Sequence, residues 1–468
     1  METSVLLSPE LIASLPPAVL ALIEQQAKQI QSLTERVAQL EAQLNQNSSN
    51  SSKPPSSDPP SVQPTAKKPP SGNPRGGQPG HPKHQRTLLE PDAIIEHKPA
   101  HCSHCQHPLT GDDPNPTVDQ VIDLPQKLRY VLHHHRHTLK CPSCLHSTTA
   151  GKVPEAACGF GPKLQAMTSY LSGVGRMGKR PIRQLCEEVL DIPLSLGSIS
   201  KLEAHTSKAL HPIYGEAKDL VQGKNANVDE TSWKQGKQKA WLWVAVTKLL
   251  SVFLIHRSRS REAFDVLLGS DFGILTTDRY AVYSHLAGER RQVCWAHLRR
   301  DFQAIIDRKS EGNAMGEDLL LHANLLFEHW QRVRDGTLTR RGFRNHYGSW
   351  LRSEVKQLLE RGKASPCAKT ASICEELARV EASLWTFMEA EGVEPTNNAA
   401  ERALRHAVCW RKTSYGTDSE RGSRFVERML TVVASCRQQG RQVLQFVKEA
   451  IQSHRNGTTR PSLIPTGL

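Results

Sequence analysis

The chain has 468 residues, too many for one small core and enough for two to four domains. Hydrophobic residues make up 38%, aromatics 5%, and mean hydropathy is −0.49, which argues against a membrane protein. Lys and Arg number 60 against 47 acids, and this surplus of 13 positive charges favours a polyanionic partner, with nucleic acid first.

The N-terminal apolar stretch from Leu11 to Ile23 is broken by Pro16 and Pro17. It is shorter than the roughly 20 apolar residues that a bilayer span needs. It has no basic flank and no small-residue cleavage site, so neither a leader nor a membrane anchor is expected, and the chain reads as cytoplasmic and nucleoid-associated. Eleven cysteines is an odd number, and four of them form two Cys-x-x-Cys pairs. That usage fits metal binding and free thiols better than a disulfide framework.

Residues 1–45 contain a heptad seam. Ile23, Ile30, Val37 and Leu44 share one seam position, and Val19, Leu33 and Leu40 share the other, with Gln26 as a polar break. β-branched residues at the first position with Leu at the second favour a parallel two-stranded coiled coil, hence a homodimer or higher oligomer, over an amphipathic helix packed on its own chain. Residues 46–86 are rich in Ser, Pro, Asn and Lys and read as a disordered linker. Within it, Asn73 to His81 sets one arginine among Gly and Pro, a composition suited to a narrow minor groove, although a plain solvated linker has the same look.

Residues 87–155 form the expected zinc-binding domain. Cys102 and Cys105, then Cys141 and Cys144, offer two knuckles separated by a strand-like stretch from Gln120 to Leu139. Thiolates at i and i+3 can reach one tetrahedral Zn²⁺, and four protein ligands make such an ion structural. His101, His104, His107 and His133 to His137 compete as ligands. Residues 156–222 read as helical. A helix opening at Pro181 carries Ile182, Leu185, Val189 and Leu190 on its apolar face. After a break at Asp191 to Leu194, Ser195 or Ser198 caps a helix with Ile199, Lys201 and Leu202. This is a helix-turn-helix or an ordinary helical hairpin, and Arg176, Lys179, Arg180 and Arg183 favour DNA.

From residue 223 the hydrophobic period changes. Ala226 to Asp229 reads as a short strand ending in an acid, and Ala240 to Val246 and Ser251 to Ile255 read as buried strands. A helix follows over Arg261 to Leu268, then a strand from Gly273 to Asp278, a short helix from Ala281 to Leu286, a strand at Gln292, and a helix from His297. This is an RNase H-like order. It sets Asp229 and Asp278 on strands that can be neighbours. Two carboxylates on rigid strands and a third on a helix suit a pair of Mg²⁺ or Mn²⁺ ions for in-line phosphoryl displacement. Glu401, in a helix that Thr396 can cap, is the third candidate. Taken singly, each acid has a structural alternative, as a turn cap, a helix cap or an i+4 partner of Arg405.

The pieces together resemble the IS66-family transposases, large DDE enzymes of bacterial insertion sequences. The resemblance runs along nearly the whole chain. It rests on the N-terminal zipper, Gly76 to His81, the two knuckles, Val228-Asp-Glu-Thr231, Thr277-Asp-Arg-Tyr280, Cys294-Trp-Ala-His-Leu-Arg-Arg300 and Thr396-Asn-Asn-Ala-Ala-Glu-Arg402. It implies Asp229, Asp278 and Glu401 as the metal-binding triad, and accessory proteins encoded alongside. It further implies that Cys294 and His297 help to position the DNA end. The expected organisation is a multidomain α/β chain whose RNase H-like core carries an all-helical insertion. Its parts are the first core segment at 223–304, the helical insertion at 305–392, the Glu helix with its basic region at 393–440, and a tail at 441–468. The insertion follows from the numbering, since Asp229 and Asp278 are 49 positions apart but Asp278 and Glu401 are 123 apart.

Residues 396–468 hold 12 Lys or Arg against 5 acids, so over half of the net charge sits in this segment. Arg299, Arg300, Arg402, Arg405, Arg411 and Lys412 are the chosen candidates for DNA contact. The expected activity is metal-dependent cleavage and strand transfer on double-stranded DNA, at terminal inverted repeats and target. The rivals are an RNase H-like nuclease that does not join and a domesticated, non-catalytic zinc protein that binds DNA.

Overall fold

A computed structural model describes residues 16–47, 51–53, 88–122, 124–125, 128–151, 159–308 and 312–464. Most of the expected linker, including Asn73 to His81, lies outside the described residues, as does the chain before Pro16.

The first helix, α1 (Pro17–Leu44), starts where Pro fits a first turn. Val19, Ile23, Ile30, Leu33, Val37, Leu40 and Leu44 are all solvent-exposed in the single chain. Among the described residues of the expected strand from Gln120 to Leu139, only Thr138 and Leu139 are in a strand: Thr138–Lys140 (β1) pairs with Ser147–Thr149 (β2) as an antiparallel hairpin around the second knuckle. Upstream, the described residues carry no ladder, and Val121, Leu124, Tyr130 and Val131 are exposed. With no neighbouring strand to bond the backbone, alternation alone does not make a strand.

Three helices follow: α2 (Pro162–Gly173), α3 (Lys179–Glu188) and α4 (Leu196–Val221). Ser195 is the cap of α4, accepting the Ser198 N–H at 3.0 Å. Ile182, Cys186, Leu194 and Ile199 make a small buried core between α3 and α4. Val189, expected on the apolar face, is exposed because α3 ends one residue earlier. Helix α4 runs far beyond a recognition helix, and Leu210, Ile213, Ala217 and Val221 continue into the main core.

The main sheet has five strands in the order β5-β4-β3-β6-β7. They are β3 (Ala226–Gln235), β4 (Gln238–Val246), β5 (Ser251–His256), β6 (Leu275–Thr277) and β7 (Arg291–Val293). The first three are antiparallel, and β6 and β7 add in parallel. Strand β3 is longer than its apolar signal, so Asp229 lies inside it rather than at its end. Gly236 (φ 60°) supplies the positive φ of the two-residue turn into β4. Helix α5 (Arg261–Leu268) packs on β4 and β5. The expected helix at 281–286 is only a 3-10 turn over Ala281–Tyr283.

Edge strand β5 is closed by a helix. In α11 (Glu420–Gln438), Glu427, Thr431 and Ser435 are four residues apart and fully buried. Their side chains accept the outward N–H groups of Ile255, Phe253 (3.1 Å) and Ser251 (3.1 Å). One helical turn rises about 5.4 Å, and four residues about 6 Å, close to the two-residue repeat of a strand. A helix row can therefore satisfy an edge that would otherwise invite further strands.

A second core begins at Val293 and ends at Val393. It belongs to α6 (Trp295–Asp307), α7 (Asn313–Arg334), α8 (Ser349–Gly362), α9 (Ala368–Arg379) and short turns between them, so the expected insertion is helical. Trp330 meets Phe387 edge-on at 4.7 Å between centroids, and Trp295 lies 5.0 Å from Trp385. The chain then returns to the sheet through α10 (Asn398–Ser414), which packs on β3 and β4 ahead of α11 and α12 (Val443–Asn456).

Candidate active site

Sheet register brings the first two acids together. Ala226 pairs with Leu275 and Asn227 with Thr276, an offset of 49. The same offset sets Asp278, the first residue past β6, level with Asp229. The β6–β7 offset, Thr277 to Val293, likewise sets Cys294 level with Asp278, and the Cys294 N–H donates to the Thr277 carbonyl at 2.8 Å. Positions level across a sheet share a face.

Glu401 enters from the first turn of α10. The cap position of this helix is held by Asn397, not by the expected Thr396, which is buried beside it. One Glu401 oxygen lies 3.6 Å from His297 Nε2 and 3.5 Å from an Arg300 amino group. Burial, with the charges of Glu230, Asp278 and Glu401, holds the Asp229 carboxyl well above the usual carboxylate range. Asp229 and Asp278 accept the backbone N–H groups of Glu230 (2.8 Å) and Tyr280 (2.9 Å). Among the described residues neither has a basic ion-pair partner. Packed acids without a counter-ion fit a divalent cation held by oxygen ligands. The carboxylates do not yet form a cage: among the described residues, no three His, Cys, Asp or Glu groups converge as a ready metal site.

The sequence reading missed the groups that hold this row. Arg291 is buried and donates to Thr277 Oγ1 (3.1 Å), the Tyr283 carbonyl (3.1 Å) and the Asp278 carbonyl (2.8 Å), fixing the β6 exit. Glu230, on the other face of β3, accepts from Arg259 (2.8 Å) and Tyr283 (2.6 Å). Arg279 bridges to Asp301 (2.9 Å) and Glu376 (2.7 Å), tying the residue after Asp278 to the helical insertion. Glu230 and Arg279 lie within the motifs quoted above and Arg291 outside them, but the roles of all three are hidden in the sequence because their partners come from distant segments.

The expected DNA-contact residues divide by position. Cys294 is completely buried, and burial pushes its thiol up to about 11. His297 and Arg300 are half-buried beside Glu401, while Arg299 is exposed and stands over the Phe327 ring at 5.5 Å. Arg402, Arg405 and Lys412 are exposed on α10. Arg411 is engaged by the chain itself, donating to Thr231 (3.2 Å) and to the Ser232 hydroxyl (2.6 Å).

The two cysteine knuckles have the same local form. In each, the first Cys N–H donates to the carbonyl five residues on, and its carbonyl accepts the N–H four residues on. Gln106 and Leu145 take equivalent left-handed conformations (φ 60° and 59°). Backbone N–H groups of Cys105 and His104 lower the Cys102 thiol, and those of Cys144 and Ser143 lower Cys141. Each turn thus favours a thiolate. The four cysteines are not gathered into one cluster.

Residues 160–425 match the family model described as "Transposase IS66 family". The chain belongs to the IS66 transposase family. It is therefore a DDE transposase, a polynucleotidyl transferase, and this family uses divalent metal and binds DNA. The five-stranded mixed sheet with its helices is consistent with an RNase H-like DDE core. Residues 11–87 match a separate family of unknown function, DUF6444. Two Sinorhizobium fredii (strain NBRC 101917 / NGR234) proteins are similar to this transposase. "Uncharacterized protein y4qI" is 23% identical over 78% of this chain and 71% of its own length. "Uncharacterized protein y4hP" is 23% identical over 75% of this chain and 69% of its own length. Among the described residues no helix is long and apolar enough to cross a membrane.

Proposed function

We propose that this transposase cleaves and joins DNA at the terminal inverted repeats of its own insertion sequence, with Asp229, Asp278 and Glu401 as its metal-binding triad. The observation that carries the reading is the common register of Asp229 and Asp278, with Glu401 close enough to raise the Asp229 carboxyl. Two Mg²⁺ or Mn²⁺ ions bound there would stabilise the attacking and leaving oxygens. In the first step a water oxygen bonds to phosphorus as the bond to the DNA 3′ oxygen breaks, leaving a 3′ hydroxyl. In the second, that 3′ oxygen bonds to a target phosphorus while the target's own 3′ oxygen leaves, taking up the proton that the attacking hydroxyl gives to solvent. Arg299, Arg402, Arg405 and Lys412, exposed near the acids' elements, are assigned to phosphate backbone, and His297 and Arg300 to holding Glu401 or the DNA end.

The accessory modules follow the same reading. Cys102, Cys105, Cys141 and Cys144 would hold one structural Zn²⁺ once the two knuckles close on each other, a role supported by their matching thiolate-favouring turns. Helix α1 pairs in parallel with a second copy, which would cover its exposed apolar seam and bring two ends together.

The test is a strand-transfer assay. The purified chain meets labelled DNA bearing the element's terminal repeat and a plasmid target, with Mg²⁺ or with EDTA. Joined product only with Mg²⁺ is the expected result. Cleavage without joining would favour a nuclease, and binding without chemistry a non-catalytic binder.

A further inference from the structure

Asn397 touches the two elements that carry Asp229 and Glu401, and also the residue that lies level with Asp278 on the neighbouring strand. Its side-chain amide donates to the Val228 carbonyl at 2.8 Å, one residue before Asp229. Its backbone N–H meets Cys294 Sγ at 3.1 Å, and Cys294 is level with Asp278. Its carbonyl accepts the Glu401 N–H at 3.2 Å and so starts the helix that carries the third acid. The residue is 0% exposed. Asparagine at a cap position ordinarily turns its oxygen to the helix's own free N–H groups. Here the side chain makes no cap bond and reaches across to the sheet instead. Neighbouring ties repeat the link: the Asn227 side-chain Nδ2 donates to the Thr396 carbonyl (3.2 Å), and the Trp295 backbone N–H to the Pro395 carbonyl (2.9 Å).

We propose that Asn397 is a positioning residue that sets the distance between Glu401 and the Asp229–Asp278 pair, and through it the affinity of the site for divalent metal. The inference rests on the reading of these acids as metal ligands. A group that orients ligands without touching the ion changes metal affinity by roughly 10- to 100-fold when removed.

The test uses the full chain and Mn²⁺ alone, with free Mn²⁺ read from its paramagnetic resonance signal and Asp278→Asn as the background. Asn397→Ser keeps a small polar group that cannot reach Val228. Asn397→Asp keeps the size but replaces the donor. Either variant that retains the wild-type circular dichroism is used. The expected result is loss of the Asp278-dependent Mn²⁺ binding by about tenfold or more, with kcat for strand transfer reduced and DNA-end binding unchanged. Mn²⁺ affinity and kcat equal to wild type in a folded variant would overturn the inference. Unfolding of both variants would overturn it too, since Asn397 would then belong to the fold. If wild type and Asp278→Asn bind Mn²⁺ equally, the failure lies in the metal-ligand reading beneath it.

Discussion

Asp278→Asn is expected to lower the rate of strand transfer by more than about 1000-fold, or about 4 kcal/mol of transition-state stabilisation, while end binding stays within about twofold. The amide is the same size as the carboxylate and still offers an oxygen to the Tyr280 N–H. What it removes is charge, and charge is what a hard cation requires of its oxygen ligands. The folded state is not expected to suffer. Asp229 is pushed up by burial, then by Glu230 and Asp278, so taking away the Asp278 charge relieves one source of repulsion. A melting temperature at or above wild type, together with absent joined product, separates lost chemistry from lost fold. A variant that still joins strands would remove Asp278 from the triad.

The largest stability effects are expected at Glu427. Its carboxyl is buried in α11, accepts the Ile255 N–H of edge strand β5, and pairs with Arg424 at 3.0 Å. Glu427→Ala leaves that N–H without an acceptor and opens a cavity, an expected loss of about 2–4 kcal/mol in denaturant unfolding. Glu427→Gln keeps the acceptor, and the comparison with wild type exposes the charge. Burial moves the Glu427 carboxyl from an ordinary 4.5 up to about 7. The native state therefore holds a proton that the unfolded chain has released between these values. Stability falls as pH rises through this window, because the unfolded state binds fewer protons. Relative to Glu427→Gln, wild type is expected to lose about 3 kcal/mol between pH 4.5 and pH 8. A parallel pH dependence for the two proteins would contradict the buried, proton-holding state.

The sheet was legible where apolar residues run continuously. Ala240 to Val246 and Ser251 to Ile255 appear as β4 and β5, each buried on both sides of the strand. Hydrophobic pattern failed where burial is not what sets an element's end. Strand β3 continues past Asp229 through polar Ser232, Lys234 and Gln235 because β4 pairs with it from Asn227 to Gln235. In the stretch from Gln120 the described residues form a strand only at Thr138 and Leu139, where β2 supplies the partner.

The acids of the site could be picked out one by one, but their meeting could not. The 49-residue spacing means nothing until the β3–β6 register is known, after which it equals the register offset. The sequence points to Thr396 as the cap, but the position is held by Asn397, whose side chain is drawn to Val228 by a tertiary contact that no local pattern shows. Cys294 and His297 sit three apart and invite one shared role. The helix that starts between them buries the thiol and leaves the imidazole beside Glu401.

If Asp229, Asp278 and Glu401 close around metal, anomalous diffraction at the manganese edge from crystals of the chain with DNA ends and Mn²⁺ will show it. The expected map has Mn²⁺ peaks in contact with Asp229 and Asp278, with Glu401 turned from His297 and Arg300 to join them. Mn²⁺ bound elsewhere, with the three carboxylates left as they stand in the free chain, would contradict it.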